Sequence, residues 1–516
     1  MYIDVECKLS PWQSPKMGCE VVLYEVFAWL SGTDLARAGA ACRAWRFAAM
    51  DPTHWRRLLR RVTPDTFDLS LDIDRGSWRQ EYVEACAGWS LKARVGVAPG
   101  AGVAALHADL APAGDALAVG ANDASLALWR CDTRDYGSRE TNAWREVWRR
   151  DLSAPRGWTA VARVQWAPRP RGAPRLLLAG PRALVRDWEL MVVQLDEEYQ
   201  YDSALSRVRC SAGSAAGCWA GPAGDSFLSL ELELLGLHFT CTSVWLNAAS
   251  QETQSEHTGV TTLLLRIFNE GNDQITHVLV APTEGEGSVA GASERVLVAG
   301  AARGLAAWRV RPRLPRLDAG APHELAERAR RRREQRARPP HPPPPREPPE
   351  PDESTVRALC EPPARRCALP APPAGLALHP SGAWLCASRA DGGASCVCAR
   401  SLTPLRDFPP PGAWSPRAPP APPAPVHYVL PSCSDRYVAS PAGAYSSLTS
   451  VWSMRTGVVT RCRTEGATGA GGAAEGVSAG GAATCALLAG PPHRPHLLVL
   501  AGAVLFVWHS RATSQP

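Results

Sequence analysis

Between Val22 and Leu30 the apolar positions Val22, Leu23, Val26, Phe27 and Leu30 fall at i, i+1, i+4, i+5 and i+8. At about 3.6 residues per turn this spacing gathers them on one stripe of a helix. Ser31 and Asp34 follow at the S-x-x-D spacing of a capping box, which predicts a second helix starting near Gly32 and presenting Leu35, Ala38 and Cys42. A third segment carries Trp45 and is expected to end around Asp51, Pro52 and Trp55. Three short helices in so short a stretch enclose a small core, and below about 40 residues a fold usually needs outside help. Apolar surface left over in this segment therefore implies docking.

From residue 103 onward the period changes. A short apolar strand, a polar or Gly-Pro turn, a strand of small apolar residues and a strand ending in Trp follow one another repeatedly. The clearest copy runs from Val103 to Arg130, with strands at Leu106–Leu110, Leu117–Gly120 and Leu126–Trp129 around the turn Ala111–Asp115. Weaker copies are read at Val161–Leu195, Leu205–Leu246, Leu263–Val310, Leu376–Phe408, Tyr428–Val459 and Leu487–Trp508. One such unit cannot bury both faces of its sheet, whereas a closed ring of units covers the faces and leaves only short edges. The fold class expected is mainly β: a seven-bladed propeller, eight being the alternative, behind a small helical domain. Leu91 to Val97 is expected to supply the outer strand of the last blade and so join the two ends of the chain. The 19 Trp residues are read mainly as packing aromatics at strand ends.

The length of 516 residues leaves room for two or three domains, or for one large repeat array with an appendage. The 47 Pro and 43 Gly exceed ordinary fractions, and the excess is local. Residues 311–374, with Arg330 to Arg333 and Pro342 to Pro345, are expected to be an Arg/Pro-rich disordered insertion between blades. Residues 409–425 form a shorter Pro-rich loop, and residues 466–483 a Gly/Ala-rich loop within the last blade region. Much of the net charge of +6 sits in the Arg328–Arg338 cluster, so the charge does not argue for a nucleic-acid partner.

No basic segment leads into an apolar one at the start, and no apolar run approaches 18 residues, so a soluble cytoplasmic protein with the nucleus as a second location is expected, without a membrane partner. The 16 cysteines are read as buried thiols. Cys386, Cys396 and Cys398 lack a second pair or a nearby His at zinc spacing, so no metal or other cofactor is expected. The signatures G-x-S-x-G, Gly-x-x-x-x-Gly-Lys and His-Glu-x-x-His are missing, and Asp196-Glu197-Glu198 reads as a solvated turn. No catalytic residue is expected, and the protein is read as a non-enzyme.

The helical segment resembles the F-box. Leu23, Val26, Phe27 and Leu30 stand at that family's Leu-x-x-x-Ile-Phe-x-x-Leu positions, followed by Asp34-Leu35, Cys42, Trp45 and Trp55-Arg56. Ser14-Pro15-Lys16-Met17 replaces the usual Leu-Pro opening, and Ala41 stands where Val usually precedes the Cys. The resemblance implies binding to the Skp adaptor of a cullin-based ubiquitin ligase through Leu23, Val26, Phe27, Leu30, Leu35, Cys42 and Trp45. The repeats resemble the WD repeat. Asp123 takes the place of that family's turn Asp, which ties neighbouring loops together, and the Asp after the final Trp is missing.

A more specific likeness, to the F-box/WD-repeat family, rests on Leu205-Ser206-Arg207-Val208-Arg209, Gly217-Cys218-Trp219, the strand Cys241–Ala248, and Ser77-Trp78 with Glu81-Tyr82. The implied organisation is a tail (1–14), an F-box (15–60), a helical linker with the closing strand (61–97), blades (98–310 and 375–510) around the 311–374 insertion, and a tail (511–516). The implied function is that of a substrate receptor in a Skp-cullin-F-box ligase, its propeller holding protein substrates. An alternative is a cullin-4 receptor that meets the DDB adaptor through Arg311, Arg455 and Arg511, which follow Trp308, Trp452 and Trp508 at Trp-x-x-Arg spacing. A non-ligase scaffold is the third reading.

Overall fold

The structure, a computed structural model, describes residues 17–63, 77–100, 102–131, 144–170, 172–183, 188–210, 217–235, 239–251, 262–272, 274–282, 295–301, 304–311, 353–410, 430–441, 447–464, 483–489 and 495–511. The chain divides into two compact units. The first takes residues 1–88, 453–458 and 510–516, and the second residues 89–452 and 459–509.

Among its described residues the first unit carries five helices: α1 (Met17–Phe27), α2 (Gly32–Ala38), α3 (Arg43–Ala49), α4 (Pro52–Val62) and α5 (Trp78–Ala87). The Ser31 hydroxyl accepts from the Asp34 amide at 3.2 Å and donates to the Asp34 carboxylate at 2.7 Å, so the S-x-x-D spacing does start α2. That helix stops at Ala38, and Cys42 lies beyond it as the N-cap of α3, its sulfur accepting from the Trp45 amide. Asp51-Pro52 opens a helix where the sequence reading places an end. Asp51 Oδ1 accepts the Thr53 amide at 2.8 Å, and Pro52 takes the first helical turn, where a missing N–H costs nothing.

Phe27, Leu35, Ala48, Ala49, Trp55 and Leu58 form the core of this unit, with Leu23, Tyr24, Leu30, Trp78 and Tyr82 packed around them. The Trp55 indole donates to the Ala49 carbonyl at 2.7 Å, which fastens α4 to the end of α3. Gly32 lies where a Cβ would come within 2.2 Å of the Tyr82 ring, so any side chain there would displace α5.

The second unit is a ring of seven four-stranded antiparallel sheets. In chain order β1 is Trp89–Gly96, and the first blade is β2 (Ala105–Leu110), β3 (Ala116–Ala121), β4 (Ser125–Cys131) and β5 (Trp144–Asp151). The second blade is β6 (Arg163–Trp166), β7 (Arg175–Pro181), β8 (Trp188–Leu195) and β9 (Tyr201–Cys210). The third is β10 (Gly217–Trp219), β11 (Ser226–Leu235), β12 (Phe239–Ala248) and β13 (Thr262–Phe268), and the fourth β14 (His277–Pro282), β15 (Arg295–Ala301), β16 (Gly304–Val310) and β17 (Arg365–Cys367). The fifth is β18 (Pro373–Leu378), β19 (Trp384–Arg389), β20 (Ala394–Cys398) and β21 (Pro404–Phe408), and the sixth β22 (Ser432–Cys433), β23 (Tyr437–Pro441), β24 (Leu448–Ser453) and β25 (Val459–Arg463). The seventh blade joins β26 (Ala483–Ala489), β27 (His496–Ala501) and β28 (Val504–Ser510) to β1, in the order β1-β28-β27-β26.

That last pairing ties the two ends of the ring together without an added covalent link. The Val97 amide donates to the Ala503 carbonyl at 2.8 Å, and the Ala105 amide to Gly502 at 2.9 Å. The small residues that recur before each Trp-bearing strand have a packing reason. A Cβ on Gly120 would meet Val161 at 2.6 Å, so glycine lets the chain entering the second blade lie against the first, while one on Gly180 would meet the Ala160 carbonyl at 2.2 Å in the entry segment of its own blade.

Four readings need correction. Leu205 and Leu263 do not open blades: they belong to β9 and β13, the outer strands of the second and third. Each blade has four strands, and the outer one escapes a search for small apolar runs because one of its faces meets water, as in β5, Trp-Arg-Glu-Val-Trp-Arg-Arg-Asp. The 311–374 insertion does not separate two blades. It interrupts the fourth between its third strand and its fourth, and residues 353–374 contain the helix Glu353–Ala358 and β17. Residues 312–352 lie outside the described residues, as do most of 409–425 and all but the last residue of 466–483. The Gly/Ala-rich stretch falls between β25 and β26, and so between blades. Asp123 turns back on its own hairpin, accepting the Ser125 amide at 2.9 Å; the tie to the neighbouring loop is made by Asn122, which bonds the Ala104 amide and the Gly102 carbonyl.

Candidate functional site

The apolar stripe of α1 turns out to be two faces. Leu23, Phe27 and Leu30, at i, i+4 and i+7, point into the helical core. Val22, Val26 and Trp29, at the same spacing one residue earlier, are 61%, 50% and 79% exposed. A core built from some forty residues has no room for an arc this wide, so half of it stays in solvent. On α3 the pattern repeats: Ala48 and Ala49 are buried while Trp45 and Phe47 stand out, Phe47 at 79% exposure. Met50 and Val62 add to this surface. Of the ten large apolar side chains exposed among the described residues, seven lie between Val22 and Val62, which puts the chain's apolar surface on the helical unit.

The seven residues expected to meet an adaptor therefore divide. Phe27 and Leu35 are core residues, 2% and 0% exposed, and hold the helices together. Leu23 and Leu30 are half-buried against them. Cys42 is exposed at the α3 cap, Val26 is exposed, and Trp45 shows one edge to solvent while its ring meets Phe27 at 5.5 Å. Trp29, Phe47, Met50 and Val22 were not among the seven. Val22 stood on the stripe that was read but was not carried to the interface, and Trp29 continues the Val22, Val26 row at i+7; for Phe47 the signal was an aromatic beside the buried Ala48-Ala49 pair of a short helix.

The three arginines read as contacts of a DDB adaptor do not share one unit. Arg311 follows β16 in the propeller, while Arg455 and Arg511 lie in the segments that belong with the helices. Arg455 is ion-paired with the nearly buried Glu81 of α5, and the Arg511 amide donates to Gly88 at 3.0 Å.

In the propeller several strongly shifted groups lie deep in the blades. His107 on β2 and His277 on β14 are lowered to about 3, first by burial and then by the nearby Arg163 guanidinium, and so stay neutral at physiological pH. Desolvation raises Asp109 to about 7, against the bonds its carboxylate accepts from the Leu110 and Trp166 amides. Cys386 and Cys396 face each other across β19 and β20, and the hydrogen bond from Cys396, followed by desolvation, pushes the Cys386 thiol well up, which disfavours its thiolate. Among the described residues no group of His, Cys, Asp and Glu is placed to hold a metal ion, and no helix is long and apolar enough to cross a membrane.

One surface group has a clear pH signature. Glu270, on the turn after β13, accepts two bonds from Arg366 and one from Arg357, and these guanidinium groups hold its carboxyl down at about 2. A folded pKa below the unfolded value gives stability that is full above about 4.5 and is lost as pH falls toward 2. Arg366→Ala should therefore lower the thermal midpoint of the propeller at pH 7, and the gap to the wild type should close between pH 4.5 and 2. Because the pair is partly exposed, the gap at pH 7 should also shrink in 1 M salt, on the order of a 3 Å screening length.

A helical unit with a large exposed apolar surface and a seven-bladed propeller ring occur together in this chain. Residues 20–61 match the F-box-like family model. Over 271 residues the chain is 25% identical to F-box/WD repeat-containing protein 5 of Rattus norvegicus, a match covering 50% of this chain and 43% of the rat protein. The Mus musculus protein of the same name is 25% identical over 271 residues and the Homo sapiens one 24%, with 42% and 43% of their lengths covered. The chain thus spans less than half the length of the curated relatives it matches. The F-box-like segment, the ring and these relatives together support the F-box/WD-repeat family for this chain.

Proposed function

We propose that this protein is a substrate-recognition subunit of a Skp-cullin-F-box ubiquitin ligase, its helical unit docking on the Skp adaptor and its propeller holding the protein to be modified. The observation that carries this reading is the apolar surface of Val22, Val26, Trp29, Trp45 and Phe47 on the segment that matches the F-box-like family. Desolvated aromatic side chains of this kind supply most of the affinity of a protein interface. The ligase chemistry needs no residue from this chain, because a receptor acts by raising the effective concentration of a substrate lysine near a thioester carried by another subunit.

Co-purification of the full chain with the Skp adaptor and its cullin tests this reading, and loss of both on deleting residues 1–60 is the expected result. Cullin-4 and the DDB adaptor retained by the deleted chain would favour the second route, through Arg311, Arg455 and Arg511. Arg455 is already engaged by Glu81, which weighs against that route.

A further inference from the structure

The outward side of α3 is a mixed stripe of arginine and apolar side chains. Arg43, Arg46, Phe47 and Met50 fall at i, i+3, i+4 and i+7 and all four are exposed, so two guanidinium groups and two apolar anchors share one row of the helix surface. Arg79 of α5 reaches the same place. Its Nη1 lies 3.8 Å from the Met50 sulfur, and its guanidinium is 5.8 Å from the Trp55 ring. Phe47 and Met50 thus stand among three cations.

The fold makes no use of these charges. Among the described residues the ion pairs of the helical unit join Arg37 to Asp34 and Arg455 to Glu81, and no carboxylate pairs with Arg43, Arg46 or Arg79. The acid nearest the stripe along the chain is Asp51, which accepts from the Thr53 amide and hydroxyl. Glu84 of α5 accepts from Gln80, while Glu20 and Glu25 belong to α1, Glu25 on the exposed row of Val22 and Trp29. Basic charge is therefore a property of the α3 side and not of the whole apolar surface. Arg43 also opens α3, where the aligned peptide dipoles favour a carboxylate over a cation. Local stability does not account for it.

A neutral apolar groove closing over Phe47 and Met50 would strip water from three guanidinium groups and give nothing back. A protein face that brings carboxylates to them covers the apolar pair without that loss, and its field also speeds encounter. Two apolar side chains are too few to anchor a helix of seven residues in a lipid surface.

We propose that the α3 stripe docks on an acidic rim of the Skp adaptor, whose carboxylates pair with Arg43, Arg46 and Arg79 around the site that takes Phe47 and Met50. The inference rests on the proposed Skp docking and adds to it the charge of the face that is met. Its test is the association rate of the full chain with purified Skp adaptor at about 0.01 M and about 0.5 M salt, between which the screening length shrinks from roughly 30 Å to roughly 4 Å. The wild-type rate should fall at least about tenfold over that range, and Arg43→Glu with Arg46→Glu should be at least about tenfold slower than wild type at low salt, the gap narrowing at high salt. Arg43→Glu alone should lose part of the rate although it puts an acid where the α3 dipole favours one, so the loss is not one of folding. Arg60→Glu with Arg61→Glu changes the net charge equally some two turns along α4, and should slow association less than about threefold.

A wild-type rate indifferent to salt, an unslowed Arg43/Arg46 variant, or an equal loss in the Arg60/Arg61 variant would overturn the assignment. So would capture of the wild type by phosphatidylserine vesicles that the Arg43/Arg46 variant loses while its Skp association is unchanged. Skp binding that persists under any of these results leaves the proposed function standing, whereas a wild type that binds no Skp at either salt removes that function and this inference together.

Discussion

Phe47→Asp is expected to weaken binding of the full chain to purified Skp adaptor by at least about 100-fold, and Phe47→Asp with Trp29→Asp to abolish it. Both side chains are 79% exposed, Trp29 meeting the Arg57 guanidinium at 5.9 Å from its ring, so an aspartate in their place costs the fold little, on the order of 0.5 kcal/mol. In an interface the same positions would be desolvated aromatics, and truncating such residues costs about 2–4 kcal/mol of binding, which corresponds to factors of about 30 to 1,000. An aspartate adds a buried, unpartnered carboxylate to that loss. Titration calorimetry against Skp, with circular dichroism to show intact helices, is the measurement. Undiminished binding by the double variant would remove this surface from the interface.

Trp55→Ala should act in the opposite way, on the fold first. Trp55 is 2% exposed, its ring lies 5.7 Å from Tyr82, and its indole is bonded to Ala49 at the end of α3. Emptying such a site costs about 3–5 kcal/mol through lost transfer energy and the cavity left behind, and the Ala49 carbonyl loses its donor as well. A unit of this size has on the order of 4–10 kcal/mol in all, so the helices should open much or all of the time. Hydrogen exchange should show amides of α1 to α4 losing protection while those of β3 and β7, central strands of their blades, keep it. Protection retained throughout α4 would mean that the helical core does not depend on this indole.

The contrast between these two variants shows where the sequence was legible and where it was not. The Ser31-x-x-Asp34 signal located the start of α2 because an N-cap is chemistry between residues three apart. Asp51-Pro52 was equally local and was read only as an end: α3 does stop just before it, at Ala49, and the bond from the Thr53 amide shows that it also begins α4. The two rows of α1 were visible as one stripe. Periodicity says which residues share a face, but not how much of that face the neighbouring helices reach, so Phe27 and Val26 look alike until α3 and α4 are in place. The blade count followed from the Trp-bearing strands, while the outer strands, half in water and variable in pattern, were assigned to the wrong neighbours at Leu205 and Leu263.

What the chain's residues determined unaided was the kind of architecture: helices with a surplus of apolar positions, then repeated strands with a glycine or small residue before each Trp, which no isolated sheet can bury. The tertiary structure alone decided which of those apolar residues are core and which face outward, that β1 closes the ring on β28, and that the fourth blade receives its last strand late. The physical reason is range. Caps, turns and periodicity depend on neighbours within about one turn of chain, whereas burial, blade pairing and cavities depend on contacts between residues that may be hundreds of positions apart, as Val97 and Ala503 are.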